Sequence, residues 1–316
     1  MVQSGLDRTR EYDLLLGKRT NAKSTVFSSH KSVLGEELAS LHYGGKGLRV
    51  VDAEKLLGVE QSFRLKRARG LQERRADTCV DTCRRARAIA RPLGDRALLL
   101  AATASSQFVF GGEFAPPRVA DIQECRRVVT QAVWGTGGAM KSVEGLYCVL
   151  LDGHRVDPPQ RLQIETLEHF TRLARKHRES SWNDVAETWS LVVDGVPPRG
   201  PVGAANKVLR EIGWEWTEPH LLTDHQGRPF RIVDEPKSYA AQRFRDGARC
   251  AQLHKLRGRP RVKEGDMQGL LTPDLASTTA LWKDRVPRDE RIDEEGKRLL
   301  SRVITGTFRV FALAVF

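Results

Sequence analysis

The stretch RRADTCVDTCRRARAIAR, residues 74–91, decides the fold. Small or apolar residues fall at Ala76, Cys79, Val80, Cys83, Ala86 and Ala90. That i, i+3, i+4, i+7 stripe marks an amphipathic helix with one face against a core. The other face carries Arg74, Arg75, Arg84, Arg85, Arg87 and Arg91. Downstream, RPLGD (91–95) breaks the helix. RALLLAATASSQFVF (96–110) is apolar most of the way round and predicts a central core helix. Residues 118–134 repeat the stripe at Val119, Ile122, Cys125, Val129 and Val133.

Upstream of about residue 63 the pattern is mixed. YDLLL (12–16) ends a predicted helix at Gly17. STVFSS (24–29) and LRVV (48–51) read as short β-rich runs, with HYGGKG (42–47) as a turn between them. KLLGVE (55–60) is a second compact apolar run.

After the loop GTGGAMKS (135–142), one predicted helix carries Leu162, Leu167, Phe170, Leu173 and Ala174. Another carries Trp182, Val185, Ala186 and Trp189. The Pro/Gly-rich joint DGVPPRGPVG (194–203) precedes NKVLREIGWEW, a hairpin-like TDHQGRPFRIV, and helices near 237–256 and 290–308. The expected fold class is α+β and predominantly α-helical, a small β-containing start followed by a long helical body. The expected regions are 1–62, 63–150 and 151–316.

Of the 316 residues, 40% are apolar and 29% charged, which suits a folded chain with a sizeable core. The net charge of +12 favours polyanionic partners, because each neutralised phosphate releases condensed counterions. A merely solubilising basic surface is the plainer reading. The five cysteines form no CxxC or Cys/His ladder. Cys79 and Cys83, one helical turn apart, read as buried free thiols of a reducing compartment. No signal peptide or membrane span is visible; the closing VFALAVF is too short to cross a bilayer. An intracellular protein of nucleus or cytoplasm is expected, with no membrane partner.

FRLKRARGLQERR (63–75) is the densest basic segment: Arg64, Lys66, Arg67, Arg69, Arg74 and Arg75 against Glu73 alone. Arginine forks bind phosphate bidentately, so such a helix can track a nucleic-acid backbone. KLRGRPRVK (255–263) holds Lys255, Arg257, Arg259, Arg261 and Lys263 and reads as an extended basic loop. Either cluster can equally be a solvated face.

Three apolar runs end in aspartate, at Asp52, Asp194 and Asp234. Carboxylates at strand ends can bind Mg²⁺, although such aspartates are common in turns. DGHRVDPPQ (152–160) places His154 near Asp157, an acid–base pairing in principle. Asp157 before Pro158 reads better as a helix N-cap with proline at the first helical position. Trp182, Trp189, Trp214 and Trp216 can stack on bases or pack between helices. No glycine-rich phosphate loop and no catalytic triad spacing is present.

The order of these pieces resembles the C-terminal half of a non-LTR (LINE-like) retrotransposon reverse transcriptase. GKRTNAKSTVFSS (17–29) is similar to palm motif D, with Asn21, Lys23 and Ser24 near the nucleotide. AEKLLGVE (53–60) is similar to motif E, the primer grip, through Leu57, Gly58 and Val59. ALLLAATASSQFVFGGE (97–113), VVTQAVWG (128–135), GHRVDP (153–158) and GPVGAANKVLREIGWEW (200–216) resemble thumb and post-thumb segments. The resemblance implies a partial palm at 1–62, a helical thumb at 63–150 and a post-thumb region at 151–316. It also implies contact with RNA or an RNA–DNA duplex.

Two departures qualify what it implies. No Asp-Asp dipeptide occurs, so the metal pair of an intact polymerase lacks its ligands. The motif D lysine slot holds Ser24, with Lys23 one place early. The expectation is a fragment of an RNA-directed DNA polymerase that keeps sequence-independent nucleic-acid binding, with no cofactor and no catalytic residue of its own. Mg²⁺ belongs only to the intact enzyme. The alternative is a helical protein–protein scaffold whose charge is merely solubilising. A metal phosphotransferase built on Asp52, Asp194 and Asp234 is a third possibility.

Overall fold

The computed structural model describes residues 2–15, 25–26, 36–37, 39–43, 45–51, 53–56, 59–62, 70–89, 91–135, 142–176, 182–194, 200–257, 291–293 and 295–299. The fold is α+β and predominantly α-helical. The chain divides into two compact units, Met1–Leu71 and Gln72–Phe316.

The first unit joins one helix to short strands. Helix α1 (Val2–Leu15) is tied to β2 (His42–Tyr43) by Gln3. The Gln3 amide donates to the His42 carbonyl and accepts from the His42 N–H, both at 3.0 Å. Strands β2 and β3 (Lys46–Gly47) form an antiparallel hairpin, with Gly45 at φ 75° in the turn that HYGGKG predicts. The two β-rich runs meet each other: β1 (Thr25–Val26) pairs in parallel with β4 (Arg49–Val50). Strands β5 (Ala53–Leu56) and β6 (Val59–Ser62) pair antiparallel, with Leu56 opposite Val59.

Helix α2 (Gly70–Ala86) belongs to the second unit from Gln72 onward. It buries Gln72, Ala76, Cys79, Cys83 and Ala86, the 4-3 alternation of a helix laid on a core. Next comes α3 (Leu93–Leu100), which passes through a π-helical turn (Ala101–Ser105) into α4 (Ser106–Val109). This is the expected core helix, with one correction. Leu98 is 65% exposed and Leu99 39%, because the helix packs on one side against α5 (Val119–Trp134) rather than being surrounded.

A short helix α6 (Val143–Gly145) leads into a second π-helical turn (Leu146–Leu150), all five residues buried. Ser142 caps α6 by accepting from the Gly145 N–H at 3.0 Å. Then follow α7 (Gly153–Val156) and the long α8 (Pro158–Lys176). A first core gathers Cys79, Leu100, Phe108, Val129, Leu146 and their neighbours.

Beyond it lie α9 (Trp182–Val193), α10 (Gly200–Glu211), a three-stranded antiparallel sheet and α11 (Lys237–Arg257). The sheet orders β7 (Glu215–Glu218), β8 (Leu221–Thr223) and β9 (Pro229–Arg231). The second core unites Leu167 and Phe170 of α8 with Leu209, Leu222, Phe230 and Phe244. Leu162 of α8 packs on the first core and Ile164 lies in the second; Leu253 and Phe244 of α11 divide the same way. Both long helices therefore serve both cores.

An aromatic nest closes the second core. Trp214, Phe230 and Phe244 have ring centroids 5.3 to 5.8 Å apart. The Arg243 guanidinium lies 5.5 Å over Trp214 and 5.3 Å over Phe230, and donates to Asp224 at 2.5 Å. The Trp214 indole sits so close to α11 that a Cβ at Gly247 would lie 2.6 Å from its Nε1.

Candidate nucleic-acid interface

The sequence places phosphate contacts in two basic clusters, and part of each lies within the described residues. Arg64, Lys66, Arg67 and Arg69 fall outside them, as do Asn21, Lys23, Ser24, Leu57, Gly58, Arg259, Arg261 and Lys263. Val59 begins β6. Lys255 is exposed in the last turn of α11, and Arg257 is the final residue of that helix. The start of KLRGRPRVK is thus helical rather than an extended loop, because the apolar spacing of α11 runs to its end before Pro260.

The two arginines of α2 named in the basic helix behave differently. Arg74 is exposed. Arg75 is half-buried: its Nη1 donates to the Phe110 carbonyl at 2.5 Å, and its guanidinium lies 5.1 Å over the Phe110 ring. That side chain braces the turn after α4 and is not aimed at solvent.

Towards the end of α2 and just past it, the arginines are more exposed. Arg84 pairs with Asp81 at 3.3 Å, both exposed. Arg85, Arg87 and Arg91 are exposed and have no ion-pair partner among the described residues. Several nearby acids pair with cations of their own. Glu73 meets Arg118 at 3.1 Å, and Arg118 also holds Asp121 at 2.9 Å. Glu124 pairs with Arg127.

Two clefts flank the packed seam of α8 and α11, separated by the Glu168–Arg245 pair at 3.7 Å. One, about 260 Å³, mixes charges: Arg155, Arg245 and Arg249 line it with Asp152 and Asp246, and His154 and Gln160 lie beside them. The other, about 300 Å³, is one-sided. Arg172, Arg175, Lys176 and Lys237 line it, with Glu168 as its one carboxylate. Sequence reading missed this site. Its cations lie on two helices far apart in the chain, and only packing brings them together.

The His154–Asp157 motif resolves as structure. Asp157 occupies the N-cap position of α8, its carbonyl accepting from the Arg161 N–H at 2.9 Å, with Pro158 opening the helix. Its fully buried carboxylate is gripped by Arg126 at 2.9 and 3.0 Å. Burial pushes that carboxyl up to about 6, against the pull of Arg126. Tyr147 Oη and Thr130 Oγ1 pair at 3.0 Å nearby, and burial raises the tyrosine.

The aspartates of the phosphotransferase reading occupy unlike settings. Asp194 follows helix α9, not a strand, because LVVD carries β-branched residues inside a helix held by tertiary packing. Asp234 lies in a turn, 3.7 Å from Arg231, and Asp52 is outside the described residues. Among the described residues no group of three or more His, Cys, Asp or Glu side chains is arranged to hold a metal. Among the tryptophans, Trp214 is 2% exposed and Trp189 donates to the Trp216 carbonyl at 3.1 Å. Trp214 is thus a core residue and not a stacking platform, and Trp189 is half-buried; the side chain of Trp182 lies outside what is described. No described helix is long and apolar enough to cross a membrane.

Compared with protein-family models, characterised proteins and solved structures, the chain matches none.

Proposed function

We propose that this chain is a thumb and post-thumb portion of a retrotransposon reverse transcriptase that binds RNA or an RNA–DNA duplex without reading sequence. The observation that carries the reading is the division of α2 into two faces. One is sealed by Ala76, Cys79, Cys83 and Ala86; the other presents Arg74, Arg84 and Arg85 to solvent, and exposed Arg87 follows in the turn that ends the helix. Exposed guanidiniums at successive positions along and just past a helix suit phosphates spaced along a backbone. The order of parts, a small strand-bearing unit followed by a helical body, supports the same origin. The reading assigns the chain no catalytic residue and no metal, and places it in the nucleus or cytoplasm.

The test is a salt titration of duplex binding. Log affinity should fall linearly with log salt, and reversing Arg85, Arg87 and Arg91 to glutamate should flatten the slope by roughly 2 to 3, about 0.9 per lost phosphate contact. A slope near zero in the parent protein sinks the proposal. The scaffold alternative loses Trp214 to the protein's own packing.

A further inference from the structure

We infer that the one-sided cleft at the head of α11 is a site for a phosphate monoester, the dianionic end group of a nucleic-acid strand or of a free nucleotide. It rests on cavity, charge and helix end together, and it stands apart from the arginine face of α2.

The cleft is about 300 Å³, its walls are mostly apolar, and four cationic residues stand in its lining. Lys176 and Lys237 are exposed and have no carboxylate partner among the described residues. Arg172 leans on the His169 ring, its Nη2 2.6 Å from Nδ1, a contact that leaves its charge uncancelled. Arg175 is fixed by donating from Nε to the Ile232 carbonyl at 3.0 Å, while its Nη2 is buried with no partner among the described residues. A guanidinium held by a carbonyl keeps its full charge, and low-dielectric walls project that field into the cleft. Glu168 is drawn off by Arg245. Asp234 and Glu235, just upstream, do not line the space.

The first turn of α11 adds to this. Lys237 is its first residue, and its opening N–H groups have no acceptor within the helix. The cleft runs along the Lys237, Ala240 and Ala241 side of that first turn, so the positive end of the helix dipole lies near its rim. Such a concentration favours a group of charge about −1.5 to −2, a monoester, over a backbone diester.

The test uses the full chain and three probes: an oligonucleotide with a 5′-phosphate, the same strand with a 5′-hydroxyl, and inorganic phosphate. The phosphorylated strand should bind about tenfold or more tightly than its hydroxyl counterpart, the effect of one added charge-assisted bond. Lys176→Glu with Lys237→Glu should erase that difference, and Glu168→Gln should widen it. Inorganic phosphate should compete for the difference alone. A preference for inorganic phosphate that both lysine reversals abolish, without a 5′-phosphate effect, assigns the site to a free phosphate compound. Equal binding of both strands with no saturable phosphate binding overturns the inference. Failure of an RNA–DNA duplex carrying 5′-hydroxyl ends to bind removes the duplex-binding proposal while leaving phosphate binding intact as a separate readout.

Discussion

Arg126 of α5 holds both carboxylate oxygens of Asp157, which heads α8 and is wholly buried. The pair joins two helices of the first core through the weakest of solvents for charge. Removing either partner strands the other. Arg126→Met should destabilise the protein by about 3–5 kcal/mol at neutral pH, the range for a buried carboxylate left alone. Urea unfolding followed by circular dichroism measures it. The loss should shrink on acidification, because an unpaired Asp157 can escape by taking up a proton. A loss that is independent of pH contradicts the assignment.

The same carboxyl predicts the sign of a pH dependence. Its native value, raised to about 6, lies above the unfolded value near 4. As pH falls through that interval the native state takes up the proton first, so the Asp157 contribution becomes more stabilising, by up to about 3 kcal/mol. Asp157→Asn should flatten this part of the profile. Asp224 acts in the opposite sense. Burial opposes its ionisation, but the Arg228 N–H, Arg243 and Arg228 side chains and the Gln226 N–H hold it well below the usual carboxylate range. Its stabilisation is intact above about pH 4 and is lost as pH falls further. Unfolding midpoints of the parent, Asp157→Asn and Asp224→Asn across acid pH separate the two.

Gly247 should tolerate no side chain. Alanine there meets Trp214 Nε1 at 2.6 Å and Ile212 Cδ1 at 3.3 Å. The indole is pinned between Phe230, Phe244 and Arg243, so it cannot retreat cheaply. Gly247→Ala should cost about 1–3 kcal/mol despite the better helix propensity of alanine. An unchanged or raised melting temperature would show the contact to be loose.

Thiol labelling checks the first core directly. Cys79, Cys83, Cys125 and Cys148 are buried, and Cys250 is partly accessible. Burial keeps the first four from solvent and pushes Cys148 up to about 12. The native protein should label quickly at one site and the unfolded chain at all five. Rapid native labelling of Cys79 or Cys83 refutes the buried face of α2.

The stripe of Ala76, Cys79, Cys83 and Ala86 was readable as a helix face because its spacing depends on one element alone. The same holds for Cys125, Val129 and Val133, and for Asp157 before Pro158 as a helix start. The two π-helical turns left no such sign, since one extra residue in a turn changes neither composition nor propensity. Val192 and Val193 imitate a strand before Asp194, and only packing overrules them. The exposure of Leu98 depends on which side of α3 meets α5. Of the basic groups, Arg75 reads as a phosphate ligand until Phe110 folds back onto it. The one-sided cleft was invisible for the same reason: Lys176 and Lys237 become neighbours only when α8 and α11 pack.

Because α8 and α11 each thread both cores, the second unit has no seam at which it can be trimmed. A protease or a shortened reading frame that stops between the cores would have to cut through a helix and leave a hydrophobic stump on either side. Gene dissection aimed at a minimal binding piece should therefore yield insoluble halves, and whatever this part of the chain grips, it grips as one body.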